Sequence, residues 1–309
     1  MFSRSYRWVV TGGAGFIGSH VVKELVRLGQ QVTVVDNLSS GSSRNLEEVE
    51  GQIQLVRADI RRASALKPAF DGADFVCHYA ALVSVAQSVQ EPEETMSVNV
   101  HGTENVLEAA LQAGVKKMIF ASSSAVYGNS GDVPYTESSA LDFRSPYALS
   151  KYMGEKLCRH YTEVFGLHVT LLRGFNVFGP GQNTQTAYGA VVAKFMQAAK
   201  EEDPLPICGD GSQIRDFIYV EDAVQACLLA MQKGGAGETY NVASGQTCSL
   251  LELAKTFEQV VGHALKKEFL SARAGDVAVS QADISKLRAL GFSPRVSLVE
   301  GLRRTWEAY

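Results

Sequence analysis

Tyr147 and Lys151 stand four residues apart, and a hydroxyl-rich run, Ser122-Ser123-Ser124, precedes them in the chain. A free tyrosine, with a pKa of about 10, is a poor base at neutral pH. A nearby cation favours phenolate and lowers that value. Tyr147 beside Lys151 can then take a proton from an alcohol while a serine hydroxyl holds the same oxygen. A second pair, Tyr152 and Lys156, has the same spacing. Each pair lies on one face of a helix. Five residues turn a helix by about 500°, so the two pairs face directions about 140° apart. Pro146 fits the first turn of that helix and places Tyr147 near its start. Tyr147 and Lys151 are therefore the expected working pair, with Tyr152 and Lys156 turned toward solvent or another subunit.

An alcohol that loses a proton to Tyr147 must also lose a hydride, and the start of the chain indicates where it goes. Trp8-Val9-Val10 runs into Thr11-Gly12-Gly13-Ala14-Gly15-Phe16-Ile17-Gly18. This reads as strand, glycine turn and helix. Gly12 suits the turn, Gly15 leaves the backbone bare toward a pyrophosphate, and Gly18 lets the helix approach the sheet. The helix N-terminus presents N–H groups and partial positive charge to the phosphates. A second strand, Gln31 to Val35, ends at Asp36, 18 residues beyond Gly18. A carboxylate there accepts both ribose hydroxyls and repels a 2′-phosphate, so NAD is expected over NADP. The cationic nicotinamide would add to the charge that favours a Tyr147 phenolate.

These groups need a scaffold. Strands are expected at Arg7–Thr11, Gln31–Asp36, Ile53–Arg57, Asp74–His78, Lys117–Ser122 and His168–Arg173. Helices are expected at Ile17–Leu28, Met96–Ala113 and Pro146–Phe165. Gly29, Gly114 and Gly166 stand where helices end. This alternation implies an α/β fold, a doubly wound parallel Rossmann sheet, with ligands at the carboxyl ends of its strands. After Arg173 the pattern loosens. Glu238–Val242 reads as one more strand, and Leu250–Val261 and Val296–Tyr309 as helices. The expected division is an NAD-binding domain, residues 1–173 plus about 213–245, and a smaller interleaved substrate lobe, about 174–212 plus 246–309.

The chain has 309 residues and a formal net charge of −4, with no basic block, which argues against nucleic acid as a partner. No apolar run is long enough for a membrane span. The short stretch before the first strand leaves no room for a signal peptide, so a cytoplasmic protein is expected. Five scattered cysteines with no Cys-x-x-Cys pair read as free thiols, and no metal site is expected.

The glycine motif, Ser122-Ser123-Ser124-Ala125-Val126-Tyr127-Gly128, Tyr147-Ala148-Leu149-Ser150-Lys151 and Arg215-Asp216-Phe217-Ile218-Tyr219-Val220 together resemble the extended short-chain dehydrogenase/reductases. Within them the chain is most similar to the nucleotide-sugar 4-epimerases acting on UDP-glucose and UDP-N-acetylglucosamine. The resemblance runs from Thr11 to about Lys286. It implies that NAD stays bound and that C4 of a UDP-sugar is inverted through a 4-keto intermediate. It implies Ser123, Tyr147 and Lys151 as catalytic. The NAD site would comprise Gly12, Gly15, Phe16, Ile17, Gly18, Asp36, Asn37, Asp59, Ile60, Tyr79, Ala80, Asn99 and Ser122, together with Tyr147 and Lys151. The UDP-sugar would meet Ser84, Ser123, Ser124, Tyr147, Asn176, Ala190, Val191, Arg215, Arg273, Asp276 and Ser280. Ser280 falls at the family's gatekeeper position, where tyrosine closes the pocket beside C2 and serine leaves room for an N-acetyl group. A homodimer through the helices around Met96–Ala113 and Pro146–Phe165 is implied, with Tyr152, Val164 and Leu107 as candidates.

Some positions depart from the family. Gly174 stands where a tyrosine is usual, Gly181 where an arginine is often found, and Pro206 where an aromatic often covers the uracil. Related dehydratases and decarboxylases carry acids just after the catalytic hydroxyl residue, where this chain has Ser124 and Ala125. Uronic-acid epimerases tend to carry an arginine after the Phe-Gly-Pro loop, where this chain has Gln182-Asn183-Thr184-Gln185-Thr186. A non-catalytic NAD-binding scaffold would be expected to have lost part of the Ser-Tyr-Lys set.

Overall fold

The computed structural model describes residues 4–131, 133–182, 191–271 and 277–309. Its centre is a seven-stranded sheet. Six strands are β1 (Arg7–Thr11), β2 (Gln31–Asp36), β3 (Ile53–Arg57), β4 (Phe75–His78), β5 (Lys117–Ser123) and β6 (Val169–Gly174). The seventh is Thr239–Val242, and the order across the sheet is Thr239–Val242, β6, β5, β4, β1, β2, β3. Every pairing in it is parallel. The order reverses direction at β1 and β4, which opens a crevice at the carboxyl ends of those strands.

The helices on the sheet are α1 (Phe16–Arg27), α2 (Ala63–Phe70), α3 (Val85–Gln90), α4 (Pro92–Met96), α5 (Gly102–Gln112) and α6 (Pro146–Phe165). Helix α6 begins as its sequence dictates. Ser145 caps it by accepting from Ala148 N at 3.1 Å, and Pro146 follows in the first turn. Gly166 ends it in the left-handed conformation. Two apolar clusters of the sheet and its helices are built on residues such as Val10, Val34 and Cys77 in one, and Val9, Val76 and Met118 in the other. Neighbouring strand residues fall in different clusters because side chains alternate along a strand.

The expected Met96–Ala113 helix is interrupted. Residues Ser97–His101 form a π-turn between α4 and α5. Asn99 sits in that turn and is buried, with its side-chain amide clamping the Leu82 main chain. Single π-turns inside helices often carry a side chain aimed at a specific partner. A third apolar cluster lies in the C-terminal half. It joins Phe195 and Met196 of helix Val191–Lys200 to Leu253 and Phe257 of helix Leu250–Val261, and to Leu302.

Candidate active site

The glycine turn joins β1 to α1 under tight constraints. Gly12 has φ +69°, and a Cβ there would lie 2.5 Å from Ala80 N. A Cβ on Gly18 would collide with the Gly12 carbonyl oxygen. Gly15 differs: its Cβ would meet only that same oxygen, at 3.1 Å, so its outer side is open. Phe16 and Ile17 start α1 directly behind it. Asp36 ends β2 and is turned to the same place. Its Oδ2 accepts from Ala14 N at 2.9 Å and its Oδ1 from Leu38 N at 2.8 Å. Bare backbone at a helix N-terminus and a fixed carboxylate 18 residues beyond Gly18 fit a pyrophosphate and an adenosine ribose.

The rest of the expected cofactor set follows along the strand ends. Asn37 donates to Asp59 Oδ2 at 3.3 Å. Asp59 also accepts from Arg61, which holds its carboxyl down to about 2. The Ile60 side chain packs where Gly102 leaves room for it. The Tyr79 hydroxyl is beside the Cys227 thiol, and the Ala80 backbone presses on Gly12. Ser122 departs from the expectation. Its hydroxyl donates to Glu155 Oε1 at 2.6 Å, so it is committed inside the protein.

Ser123, Tyr147 and Lys151 are brought together where β5 ends and α6 begins. The Ser123 hydroxyl is beside the Tyr147 phenol. Tyr147 N donates to Ser88 Oγ at 3.1 Å, which ties the start of α6 to α3. Lys151 Nζ donates to Ala121 O at 2.8 Å and lies 6.0 Å from the Tyr147 ring centroid. Burial pushes the Lys151 ammonium down to about 8. Burial also pushes the Tyr147 phenol up, and only the neighbouring Ser123 hydroxyl opposes it. The sequence led to the opposite direction, a phenol lowered by its lysine. The reason is geometric: Lys151 spends a proton on a carbonyl, and loss of water around the phenolate outweighs one hydroxyl donor. Tyr152 is turned away, as the helix geometry required. It stacks on Phe143 at 4.6 Å, and the Nζ of the exposed Lys156 lies over its ring, 5.3 Å from the centroid.

A separate three-stranded sheet places Arg215 and Ser280 side by side. Strand Ile214–Asp216 pairs with Val279–Ser280 in parallel and with Thr247–Ser249 in antiparallel register. Arg215 is the register partner of Ser280. Asn176 has φ +25° and donates through Nδ2 to Asp216 O at 2.8 Å, which fixes it against the same strand. Val191 opens the helix Val191–Lys200 and is half-buried. Ser84 caps α3, accepting from Gln87 N at 3.1 Å, and Ser124 starts a short turn of 3-10 helix. Ala190, Arg273 and Asp276 lie outside the described residues.

Sequence reasoning missed Asp216 as a group in its own right. It is fully buried and accepts from Ser244 N, Ser244 Oγ and Gly245 N at 2.9, 2.8 and 3.0 Å. Burial still raises it to about 6. Its position next to Arg215 was the available signal. Among the described residues no cluster of His, Cys, Asp or Glu could hold a metal ion. All five cysteines are free thiols. No helix among the described residues is long and apolar enough to cross a membrane.

The profile of the NAD dependent epimerase/dehydratase family matches residues 8–243. The chain is similar to the UDP-N-acetyl-alpha-D-glucosaminuronate decarboxylase of Bacillus cytotoxicus, with 36% identity over 97% of this chain and 96% of that one. It is similar in structure to the UDP-glucose 4-epimerase of Thermotoga maritima with UDP-glucose, at TM-score 0.94 and 38% identity over 98% of both chains. It is also similar to the UDP-N-acetylglucosamine 4-epimerase of Methanobrevibacter ruminantium in complex with UDP-N-acetylmuramic acid. There the TM-score is 0.95 with 37% identity, covering 99% of this chain and 98% of that one.

Proposed function

Because the chain belongs to the NAD dependent epimerase/dehydratase family, we propose that it inverts C4 of a UDP-hexose through a transient 4-keto sugar. The substrates we propose are UDP-N-acetylglucosamine and UDP-N-acetylgalactosamine, together with the smaller UDP-glucose and UDP-galactose. NAD is the cofactor, as in related structures. The observation that carries the reading is the Ser123 hydroxyl set beside the Tyr147 phenol with Lys151 behind it, followed by Ser124 and Ala125 where no acid stands. Acid helpers there would suit elimination or decarboxylation, so their lack favours simple epimerisation over the chemistry named for the Bacillus relative.

NAD, when bound, accepts one hydride and gives it back. The protein's own groups do the rest. Tyr147 takes the proton of the sugar 4-hydroxyl, and Ser123 donates to the same oxygen. Lys151 keeps positive charge near the phenolate, against the burial that raises the Tyr147 phenol. Arg215 matches the diphosphate in charge and hydrogen-bond geometry. Held by that end, the 4-keto sugar rotates and presents its other face. Tyr147 then returns the proton. The lobe built on Phe195, Leu253 and Phe257 is proposed to hold the nucleotide. Proton NMR of each UDP-sugar with the protein and no added NAD tests this. A C4-epimer mixture is expected from either member of a pair. No epimer from any of the four would reject the proposal.

A cytoplasmic location is part of the proposal and accords with the free thiols. So is a homodimer through the outer face of α6. Val164 is 60% exposed there, and Val100, Met153, Leu157 and His160 line a groove of about 300 Å³. Leu107 cannot take part as it stands. It is fully buried in the chain's own core because its side of α5 packs inward. Tyr152 is half-buried against Phe143 and retains a free edge. Sedimentation at micromolar concentration should give a dimer, and a monomer would reject that assembly.

A further inference from the structure

Behind the reacting groups lies a second set of polar side chains, sealed from water. Glu155 is 0% exposed and Arg173 2%. Arg173 donates through Nε and Nη2 to the two Glu155 oxygens at 2.8 and 2.7 Å. Its Nη1 donates to the Tyr127 hydroxyl at 3.0 Å and to Glu137 O at 3.2 Å. Tyr127 in turn donates to Asn241 Oδ1 at 2.6 Å. On the other side, Arg159 Nη2 lies 3.3 Å from Glu155 Oε2, and Ser122 Oγ donates to Glu155 Oε1 at 2.6 Å.

Strand β5 and helix α6 are tied at successive residues. Tyr147, Lys151 and Glu155 recur every four residues, so they form one stripe of the helix. Ala121, Ser122 and Ser123 are consecutive on the strand. The Ala121 carbonyl accepts from Lys151, the Ser122 hydroxyl donates to Glu155, and the Ser123 hydroxyl is beside the Tyr147 phenol. We propose that Glu155 is a positioning residue: through Ser122 it sets the end of β5 against α6, and so sets the separation of Ser123 and Tyr147. The inference rests on the Tyr147 chemistry proposed above.

A merely stabilising role explains the cluster less well. A buried ion pair costs desolvation on both sides, and a well-packed apolar pair of similar size often serves stability equally well. What an apolar pair lacks is a fixed hydrogen-bond length to Ser122. Reaction rates are sensitive to that kind of precision, since a misplacement of about 1 Å can cost about a hundredfold.

The test uses Ser122→Ala, Glu155→Gln, Glu155→Met and the double variant Glu155→Met/Arg173→Met, each as the full chain loaded with NAD. The rate of the first sugar oxidation is followed by the absorbance of reduced nicotinamide, beside KM, NAD affinity and thermal midpoint. Ser122→Ala should slow the oxidation by about tenfold, and the folded double variant by about a hundredfold, with KM and NAD affinity within about twofold. Glu155→Gln keeps an acceptor for Ser122 and should outpace Glu155→Met. A readout that needs no substrate is the Tyr147 phenol, titrated by ultraviolet difference against Tyr147→Phe. It should move upward in Ser122→Ala, because the Ser123 hydroxyl that holds it down is displaced. Parent rates and an unmoved phenol in Ser122→Ala would overturn the inference, and so would losses that track only thermal midpoint. If the parent oxidises sugars without forming a C4 epimer, the proposed function fails while this comparison still decides the role of Glu155.

Discussion

Tyr147→Phe is expected to lower kcat by about a thousandfold, the scale on which a positioned acid–base group acts. The ring stays, so the packing around this buried side chain and the binding of NAD should survive. Only the hydroxyl beside Ser123 is lost. The variant should therefore show a parent-like thermal midpoint and NAD affinity, measured beside initial rates. Tyr152→Phe is the control. Tyr152 lies one turn on, stacked against Phe143, and its loss of a hydroxyl should leave kcat within about twofold, as for a surface change that touches no reacting atom. Inactivity in Tyr152→Phe together with full activity in Tyr147→Phe would reverse the assignment.

Ser280→Tyr should separate the two substrate pairs. Ser280 is half-buried and sits beside Arg215 in the strand register, so its side chain is close to the group proposed to hold the diphosphate. Serine leaves space there, and a tyrosine ring fills it. The expected result is a fall in kcat/KM of about a hundredfold or more on the N-acetylated pair, with UDP-glucose and UDP-galactose reduced by less than about fivefold, because steric exclusion discriminates by what no longer fits. Equal loss on both pairs would show that the substitution damages the site in general. A parent without activity on the N-acetylated pair would remove the basis of the prediction.

Much of the cofactor side was legible because local rules act there without help from the rest of the chain. The glycine turn needs a positive φ at Gly12 and no side chain at Gly18, and both demands appear as residue types. Helix α6 carries its own start and stop in Pro146 and Gly166 and spans Pro146–Phe165 as expected. Helix Val220–Lys233 was not legible. Val220, Ala223, Val224, Ala226, Cys227, Leu228, Ala230 and Met231 are all buried, and only a narrow polar stripe of Glu221, Gln225 and Gln232 marks its period. Helix α2 was hidden by Pro68 within eight residues. The π-turn at Asn99 and the commitment of Ser122 to Glu155 depend on partners 17 and 33 residues away in sequence, and no local pattern reports them. The direction of the Tyr147 pKa failed for the same reason. A lysine four residues on signals charge, whereas burial, the larger effect here, is a property of the folded chain.

The central claim is that hydride leaves C4 and returns to C4 of the same sugar. It is tested most directly with UDP-N-acetylglucosamine carrying deuterium at C4, converted in ordinary water and followed by NMR and mass spectrometry. The account predicts UDP-N-acetylgalactosamine that keeps the deuterium at C4, with no gain of solvent hydrogen there. Washout of the label into solvent would contradict it.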